Sequence, residues 1–162
     1  MKNVFQNVKE IADVLPQGKM ITLIGGCFDL IHVGHLHLIK YAASLGEILV
    51  VAVLSDAYAR SYKNPQRPII SQEHRAQMVA SIRFVDLVYV SDVSPSSPET
   101  LQLLKPDIVV FGEEADSTER MQRRVQNIAI HSPGTKIYSL PRYMEEDVST
   151  GHIIAKIKGE VA

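Results

Sequence analysis

Seven consecutive apolar residues at positions 48–54 constrain the fold of this chain more than any other stretch. Four of them are β-branched and no polar residue interrupts them, which is typical of a strand in a parallel sheet that helices cover on both faces. Shorter apolar runs recur with helical patterns between them, so we predict an α/β fold with a doubly wound, parallel, five-stranded sheet. The predicted strands are 20–24, 48–54, 85–90, 108–111 and 136–140, and the predicted helices are 33–46, 57–62, 72–81, 99–104, 118–131 and 149–158.

The length of 162 residues fits one domain, and we expect a single domain over residues 1–162. Apolar residues at helical spacing within 4–15 predict a helical extension in residues 1–18, ahead of the first strand. Because 17 Lys and Arg residues balance 18 Asp and Glu residues, we expect no nucleic-acid partner and no membrane partner, and a small ligand instead.

Cys27 is the only cysteine, which excludes an internal disulfide. The sequence has no signal-peptide pattern and no apolar run near 18 residues, roughly the length that spans a bilayer. We therefore expect a cytoplasmic protein.

A glycine turn follows the first predicted strand and leads directly into a helix. Unpaired backbone N–H groups and the positive end of the helix dipole meet where the chain turns after Gly25 and Gly26, which favours a bound anion, above all a phosphate. His32 and His35 lie three residues apart where the helix begins, so both side chains can point at that anion. A single histidine would more often be a cap or core residue, but two of them behind Asp29 favour a functional site.

Common alternatives for such a turn are absent from the sequence. The chain has neither a P-loop pattern nor the Gly-x-Gly-x-x-Gly of dinucleotide-binding folds. His32, His35 and His37 do not have zinc-ligand spacing, because His37 falls on another face of the helix, and we predict no metal ligand among the side chains.

Further candidates for an anion site follow other predicted strands. Lys63 lies in a polar loop, and Arg142 follows the last strand, where its guanidinium fork can hold phosphate oxygens. Ser149 and Thr150 head the last helix and offer hydroxyl and N–H groups. Each also has an ordinary interpretation, namely a solvated loop lysine, a surface ion pair with a nearby glutamate, and an N-cap.

Two charged residues are expected to support this site. Asp56 ends the second predicted strand and either caps the helix that follows or orients a histidine of the cleft. Arg75 lies early in the next helix and either faces the cleft or pairs with Glu73 or Asp86.

The glycine turn resembles the Gly-x-Phe-Asp-x-x-His-x-Gly-His motif of cytidylyltransferase-like nucleotidyltransferases. Its fixed positions are filled by Gly26, Phe28, Asp29, His32, Gly34 and His35. The resemblance implies a Rossmann-like nucleotidyltransferase fold, and with it a reaction in which an acceptor phosphate attacks the α-phosphorus of a nucleoside triphosphate and pyrophosphate leaves. The attacking phosphate is already ionised at pH 7, so catalysis requires positioning and donors rather than a general base.

Later segments resemble bacterial glycerol-3-phosphate cytidylyltransferases. These are Glu-His-Arg at 73–75, Ile-Arg-x-Val-Asp at 82–86, Leu-Pro-Arg at 140–142 and Val-Ser-Thr at 148–150. By this resemblance His32 and His35 stabilise the transition state, Lys63 and Arg142 hold phosphates, Mg²⁺ accompanies the triphosphate, and the protein is a homodimer. The nucleotide-binding residues so implied are Gly25, Gly26, Cys27, Phe28, Asp29, Gly34, Gly112, Ser149 and Thr150.

The resemblance predicts CMP transfer from CTP to a small phosphorylated alcohol similar to glycerol 3-phosphate. Two departures keep the substrate open: residues 143–147 replace a shorter segment of the family pattern, and Gly-Glu-Glu-Ala at 112–115 replaces Gly-Asp-Asp-Trp. The segment Arg-Pro-Ile at 67–69 instead resembles adenylyltransferases that build ADP-heptose or FAD from ATP, and residues 57–63 and 104–110 resemble nucleotidyltransferases of phosphonate metabolism. A nucleotide-binding module without catalysis is the third alternative.

Overall fold

The computed structural model describes residues 4–62, 65–112, 118–141, 143 and 149–161. The described residues form a parallel sheet in the order β1-β4-β3-β2-β5-β6. The strands are β1 (Val4–Phe5), β2 (Ile21–Gly26), β3 (Ile48–Leu54), β4 (Leu87–Ser91), β5 (Ile108–Gly112) and β6 (Lys136–Leu140). The helices are α1 (Val8–Val14), α2 (Val33–Ala43), α3 (Asp56–Arg60), α4 (Gln72–Ala80), α5 (Pro98–Leu104), α6 (Thr118–His131) and α7 (Thr150–Ile157).

The predicted parallel α/β fold is confirmed, but the prediction of five strands is wrong, because the described residues form six. Val4 and Phe5 pair with Val88 and Tyr89 of β4 instead of belonging to the predicted helical extension. The helix begins only after Asn7, whose side-chain oxygen accepts hydrogen bonds from two backbone N–H groups of the first turn. The apolar spacing of this segment suits a helix throughout, but the edge of β4 offers Val4 and Phe5 backbone partners that a sequence pattern does not reveal.

The side chains of β3 show that helices cover the sheet on both faces. Alternate residues of β3 point into two separate apolar clusters, Val51 and Val53 into one and Val50 and Ala52 into the other. The first cluster includes core residues of α2 and α4, and the second includes core residues of α1, α5 and α6. A strand with no polar face is therefore required at the centre of the sheet.

Acidic side chains fix the amino-terminal edge of the sheet. A carboxylate oxygen of Asp107 accepts a hydrogen bond of 2.7 Å from the N–H of Ile21, at the start of β2. Asp86 does the same for Leu49 in β3, at 2.8 Å. Both contacts lie near the amino-terminal ends of the strands, so they hold the register at the edge opposite to the carboxyl ends.

Helix α2 ends at Ala43, three residues before the predicted end at Gly46. A Cβ at position 46 would lie 2.4 Å from the hydroxyl oxygen of Thr22 and 3.0 Å from the carbonyl oxygen of Met20. Gly46 is therefore required by the close approach of the chain to β2, not as the residue that terminates the helix.

The strand order reverses at β2. From β2 the chain proceeds outwards through β3 and β4, and β5 then returns to the other side of β2. In open parallel sheets ligands bind beyond the carboxyl ends of the strands at such a point. No helix within the described ranges is both long and apolar enough to cross a membrane.

Gly25, at the end of β2, allows a test of packing at this point. A Cβ at position 25 would lie 2.2 Å from Cγ and 2.8 Å from Cβ of the buried Pro95. We therefore expect Gly25→Ala to lower the free energy of unfolding by about 1–3 kcal/mol, measured by urea denaturation. Gly134→Ala is the matched control, because a Cβ there would meet no atom within 4 Å. Equal stability of the two variants would contradict this account of Gly25.

Candidate active site

The turn between β2 and α2 occupies the carboxyl end of the strand at which the sheet order reverses. Cys27, Phe28 and Asp29 are buried within it. Phe28 and Leu30 have positive φ angles of 52° and 48°, a left-handed conformation that costs a non-glycine residue about 1–2 kcal/mol. The surrounding contacts must hold this turn in place, since its own backbone preference opposes it.

His32 and His35 fix each other's orientation through the start of α2. The N–H of Gly34 donates to Nδ1 of His32 at 3.2 Å, and the N–H of His32 donates to Nδ1 of His35 at 3.3 Å. The two rings lie 4.0 Å apart between centroids. Because Nδ1 accepts a hydrogen bond in both rings, the proton of each neutral imidazole resides on Nε2, which is the donor atom.

The buried Asp29 connects the turn to the segment before α4. Its carboxylate, 1% exposed, accepts hydrogen bonds of 3.0 Å from the N–H groups of Ile69 and Ile70 and from Nε of Arg67. Burial alone would raise the pKa of Asp29, but the two backbone donors and the Arg67 guanidinium outweigh it and hold the pKa below its usual range. Asp29 is thus ionised at neutral pH and fixes residues 67–70 against the turn.

The start of α7 also contacts the glycine turn. The hydroxyl of Thr150 donates to the carbonyl oxygen of Asp29 at 2.8 Å. Ser149 is the N-cap of α7, and its side-chain oxygen accepts from the N–H of His152 at 3.0 Å. The structure therefore brings Ser149 and Thr150 beside the turn, although they lie far from it in the sequence.

Arg75 is fully buried and joins several chain segments behind the turn. Its guanidinium donates to the carbonyl oxygens of Cys27, of Leu54 at 2.9 Å and of Ile70 at 2.8 Å. It also forms an ion pair of 2.7 Å with Asp56 at the start of α3. Of the partners considered from the sequence, Arg75 thus contacts neither Glu73 nor Asp86 among its described hydrogen bonds, and Asp56 pairs with Arg75.

The glycines of the site differ in how much space surrounds them. Gly25 accommodates Pro95, and a Cβ at Gly26 would lie 3.2 Å from the ring of Phe28, so both positions are tightly packed by the protein itself. Gly112 ends β5 next to β2 and has room for a Cβ, whose nearest neighbour would be a methyl of Leu38 at 3.8 Å.

Two residues predicted to hold phosphates, Lys63 and Arg142, lie outside the residues that the structure describes. Their assignment to the site stays a prediction. The neighbouring Tyr143 is described, and its ring lies 4.9 Å from that of His37 between centroids.

A family model described as cytidylyltransferase-like matches residues 23–156, which include the turn, both histidines and the start of α7. The chain belongs to the cytidylyltransferase-like family. The sequence interpretation as a nucleotidyltransferase is thereby confirmed.

Curated relatives of this cytidylyltransferase-like chain include FAD synthases and HldE proteins. The FAD synthase of Thermococcus onnurineus is 36% identical over 140 residues, which cover 86% of this chain and 91% of that protein. The bifunctional protein HldE of Helicobacter pylori is 37% identical over 152 residues, which cover 94% of this chain but only 30% of that protein. These relatives favour the two adenylyl alternatives over CMP transfer.

Solved structures share the fold. A lipopolysaccharide core biosynthesis protein from Thermoplasma volcanium has a TM-score of 0.63 at 28% identity, over 78% of this chain and 99% of that one. Pantothenate synthetase from Thermus thermophilus has a TM-score of 0.64 at 15% identity, over 93% of this chain and 67% of that one. The second likeness concerns the fold alone.

The described side chains of this cytidylyltransferase-like chain do not form a binding site for Mg²⁺. Within the described ranges no three residues among His, Cys, Asp and Glu lie close enough together to hold a metal ion. The buried carboxylate of Asp29 is already bound by three donors. Mg²⁺ usually keeps several waters and is bound through substrate phosphates together with one or two carboxylates, rather than by a cage made only of protein side chains.

Sequence reasoning missed Arg67 as part of the site of this cytidylyltransferase-like chain. Its side chain is 17% exposed and pairs with Asp29 across 38 positions of the sequence. The Arg-Pro-Ile segment was noted only as a resemblance. A buried carboxylate requires a partner, so the signal was present in Asp29, but the sequence did not indicate which cation would supply it.

The Asp29 contacts predict a dependence of stability on pH. Because the pKa of Asp29 is lower in the folded chain than in the unfolded chain, its ionised form stabilises the fold above the unfolded pKa, and this contribution is lost as the pH falls through the folded pKa. We expect Asp29→Asn to lower the free energy of unfolding by about 3–5 kcal/mol at pH 7 and to weaken its dependence on acid pH.

Urea denaturation between pH 7 and pH 3 measures this effect. The matched control is the double variant Asp29→Asn with Arg67→Met, in which neither charge is left without its partner. We expect the double variant to lose less stability than the sum of the single variants. Additive losses would contradict the coupling of Asp29 and Arg67.

Proposed function

We propose that this protein is an adenylyltransferase, which transfers AMP from ATP to a small phosphorylated acceptor and releases pyrophosphate. The observation that carries the proposal is the histidine pair at the strand-order reversal, with Nδ1 of each ring bound by a backbone N–H. The choice of ATP is supported by the FAD synthase relatives, which this chain matches over about nine-tenths of their length.

The reaction needs no covalent intermediate. An oxygen of the acceptor phosphate attacks the α-phosphorus of ATP, a new phosphoanhydride bond forms, and the bond to the bridging oxygen of the β-phosphate breaks. Pyrophosphate takes the electron pair of that bond and leaves on the side opposite to the attack. The attacking oxygen is already ionised at pH 7, so the chain must supply positioning and stabilisation of negative charge.

Each group of the proposed site has a role in that scheme. His32 and His35 donate from Nε2 to oxygens of the reacting phosphorus, and the start of α7 receives the leaving pyrophosphate with the Ser149 and Thr150 region. Lys63 and Arg142 are proposed as additional phosphate ligands on the strength of the motif resemblance. Mg²⁺ is proposed to accompany ATP, where it would neutralise triphosphate charge.

Asp29 and Arg75 are positioning residues in this proposal. Asp29 contacts residues 67–70 through its carboxylate and Thr150 through its carbonyl oxygen. Arg75 fixes the backbone of the turn at Cys27. Both act on the geometry of the histidine pair and not on the substrate directly.

FMN is the acceptor that we propose first, with FAD as the product. The matched share of each relative favours it, since the chain spans 91% of an FAD synthase but only about 30% of an HldE protein. A sugar phosphate that yields an ADP-sugar of the ADP-heptose type is the second candidate. The likeness to a lipopolysaccharide core biosynthesis protein, at 28% identity over nearly all of that chain, favours this alternative.

A matrix of substrates tests the proposal. The protein is incubated with each of the four nucleoside triphosphates, Mg²⁺ and one acceptor from a panel of FMN, sugar phosphates, glycerol 3-phosphate and phosphonates, and pyrophosphate release is followed. We expect turnover with ATP and FMN. Turnover with CTP alone would restore the CMP-transfer interpretation, and turnover with no pair would favour a nucleotide-binding module.

The role of His35 is tested by His35→Asn and His35→Ala. Loss of one preorganised donor is expected to lower kcat by about 10²–10³-fold with a small change in ATP affinity. The asparagine oxygen can still accept the N–H of His32, so His35→Asn removes the imidazole while preserving the cap. His74→Ala, on the exposed side of α4, is the control and should keep wild-type kcat. A kcat near wild type in His35→Asn would refute the proposed donor.

A further inference from the structure

We infer that the ring contact between His37 and Tyr143 positions the segment ahead of α7 against the helix that carries the histidine pair. The contact thereby aligns the bound triphosphate with that pair. This inference rests on the proposed function, because it concerns the pyrophosphate side of the proposed site. The ring centroids of His37 and Tyr143 lie 4.9 Å apart with 40° between the ring planes, which is within the range of attractive aromatic pairs. The sequence analysis assigned neither ring a role in the site.

The segment 141–149 connects β6 to α7, and contacts along it reach two other parts of the site. It leaves β6 beside the end of β5. At its far end the hydroxyl of Thr150 donates to the carbonyl oxygen of Asp29 in the glycine turn, at 2.8 Å. Between these points Tyr143 lies against His37 of α2. The turn and α2 therefore both take part in placing the start of α7.

The contacts of Tyr143 and Thr150 lie on different sides of the start of α2. His35 and His37 are two residues apart on a helix of about 3.6 residues per turn, so they project about 160° apart around its axis. Tyr143 thus contacts the flank of α2 away from His35, whereas Thr150 contacts the turn that precedes the helix. The segment ahead of α7 cannot shift relative to the histidine pair without breaking one of these contacts.

The contact does not belong to the apolar core, which separates its role from general stability. Tyr143 is 36% exposed and belongs to neither apolar cluster of the described residues, and His37 is half-buried. Of the eight residues of α7, all of which the structure describes, none is buried. The place of α7 therefore depends on contacts at and before its start, such as those of Thr150 and Tyr143, more than on burial of its own side chains.

The start of α7 is where the proposed function places the leaving pyrophosphate. Backbone N–H groups and the helix dipole favour an anion there, and the effect of the dipole is confined to the first turn. Arg142, a proposed phosphate ligand, immediately precedes Tyr143 in the sequence. Loss of the contact between His37 and Tyr143 is thus expected to weaken binding of the β- and γ-phosphates and to spare the rest of the nucleotide.

Isothermal titration calorimetry with ATP and with AMP, each with Mg²⁺, tests the inference on the full chain without an acceptor. The contribution of an aromatic pair corresponds to a factor of about 2–12 in an equilibrium constant, so Tyr143→Ala is expected to raise Kd for ATP by that factor. Kd for AMP should not change, because AMP lacks the β- and γ-phosphates. A merely structural role would weaken the binding of both ligands alike.

Matched variants separate the ring contact from other effects. Tyr143→Phe and His37→Phe keep an aromatic ring at the contact and should retain the wild-type Kd for ATP. His37→Ala should raise this Kd as Tyr143→Ala does, and the double variant should bind ATP no more weakly than either single variant, since both remove the same contact. His131→Ala is the control, because His131 is also half-buried but ends α6 just before β6 begins, at the amino-terminal edge of the sheet.

Two results would overturn the inference and leave the proposed function intact. One is an unchanged ratio of the Kd values for ATP and AMP in Tyr143→Ala, and the other is additive losses of ATP affinity in His37→Ala and Tyr143→Ala. If the variants behave as expected but the wild-type protein turns over with no acceptor, the contact serves a nucleotide-binding module and adenylyl transfer alone fails. A wild-type protein that binds no ATP would overturn both.

Discussion

The arrangement of this site depends on one buried guanidinium. Arg75 is fully inaccessible, and its donors reach the ends of two neighbouring strands, the segment before α4 and a carboxylate at the start of α3. A buried cation is tolerated only when its donors are matched by acceptors, and each acceptor here is a carbonyl oxygen or a carboxylate. Arg75 therefore joins three segments of the chain, at residues 27, 54–56 and 70, into one support for the turn.

Asp29 performs the complementary task on the other side of the turn. Its carboxylate gathers backbone donors and Arg67, while its carbonyl oxygen receives the hydroxyl of Thr150. A left-handed backbone at Phe28 and Leu30 is stable here because these contacts determine its shape from several directions. The strained backbone is confined to the turn, whereas the contacts that stabilise it come from distant parts of the chain.

The sequence predicted what is encoded over short distances. The apolar run of β3, the histidine spacing at α2 and the cap at Ser149 are all patterns within a few residues, and the structure has each of them in place. Contacts over long separations were not predictable in the same way. Cys27 and Arg75 are 48 positions apart, and Asp29 and Thr150 are 121 apart, so their pairing depends on strand order and not on any local pattern. The edge strand β1 was missed for the same reason, since its partner β4 lies more than 80 positions further on.

The orientation of the histidine pair is set in part within the first turn of α2. Nδ1 of each ring accepts a hydrogen bond from a backbone N–H group within three positions, so a short stretch of sequence helps to orient both donors. The segments that surround it come from distant parts of the chain and contact the turn at Cys27 and Asp29. Position and orientation are thus controlled separately: a substitution in a distant segment can shift the whole turn while the two rings keep their orientation relative to each other.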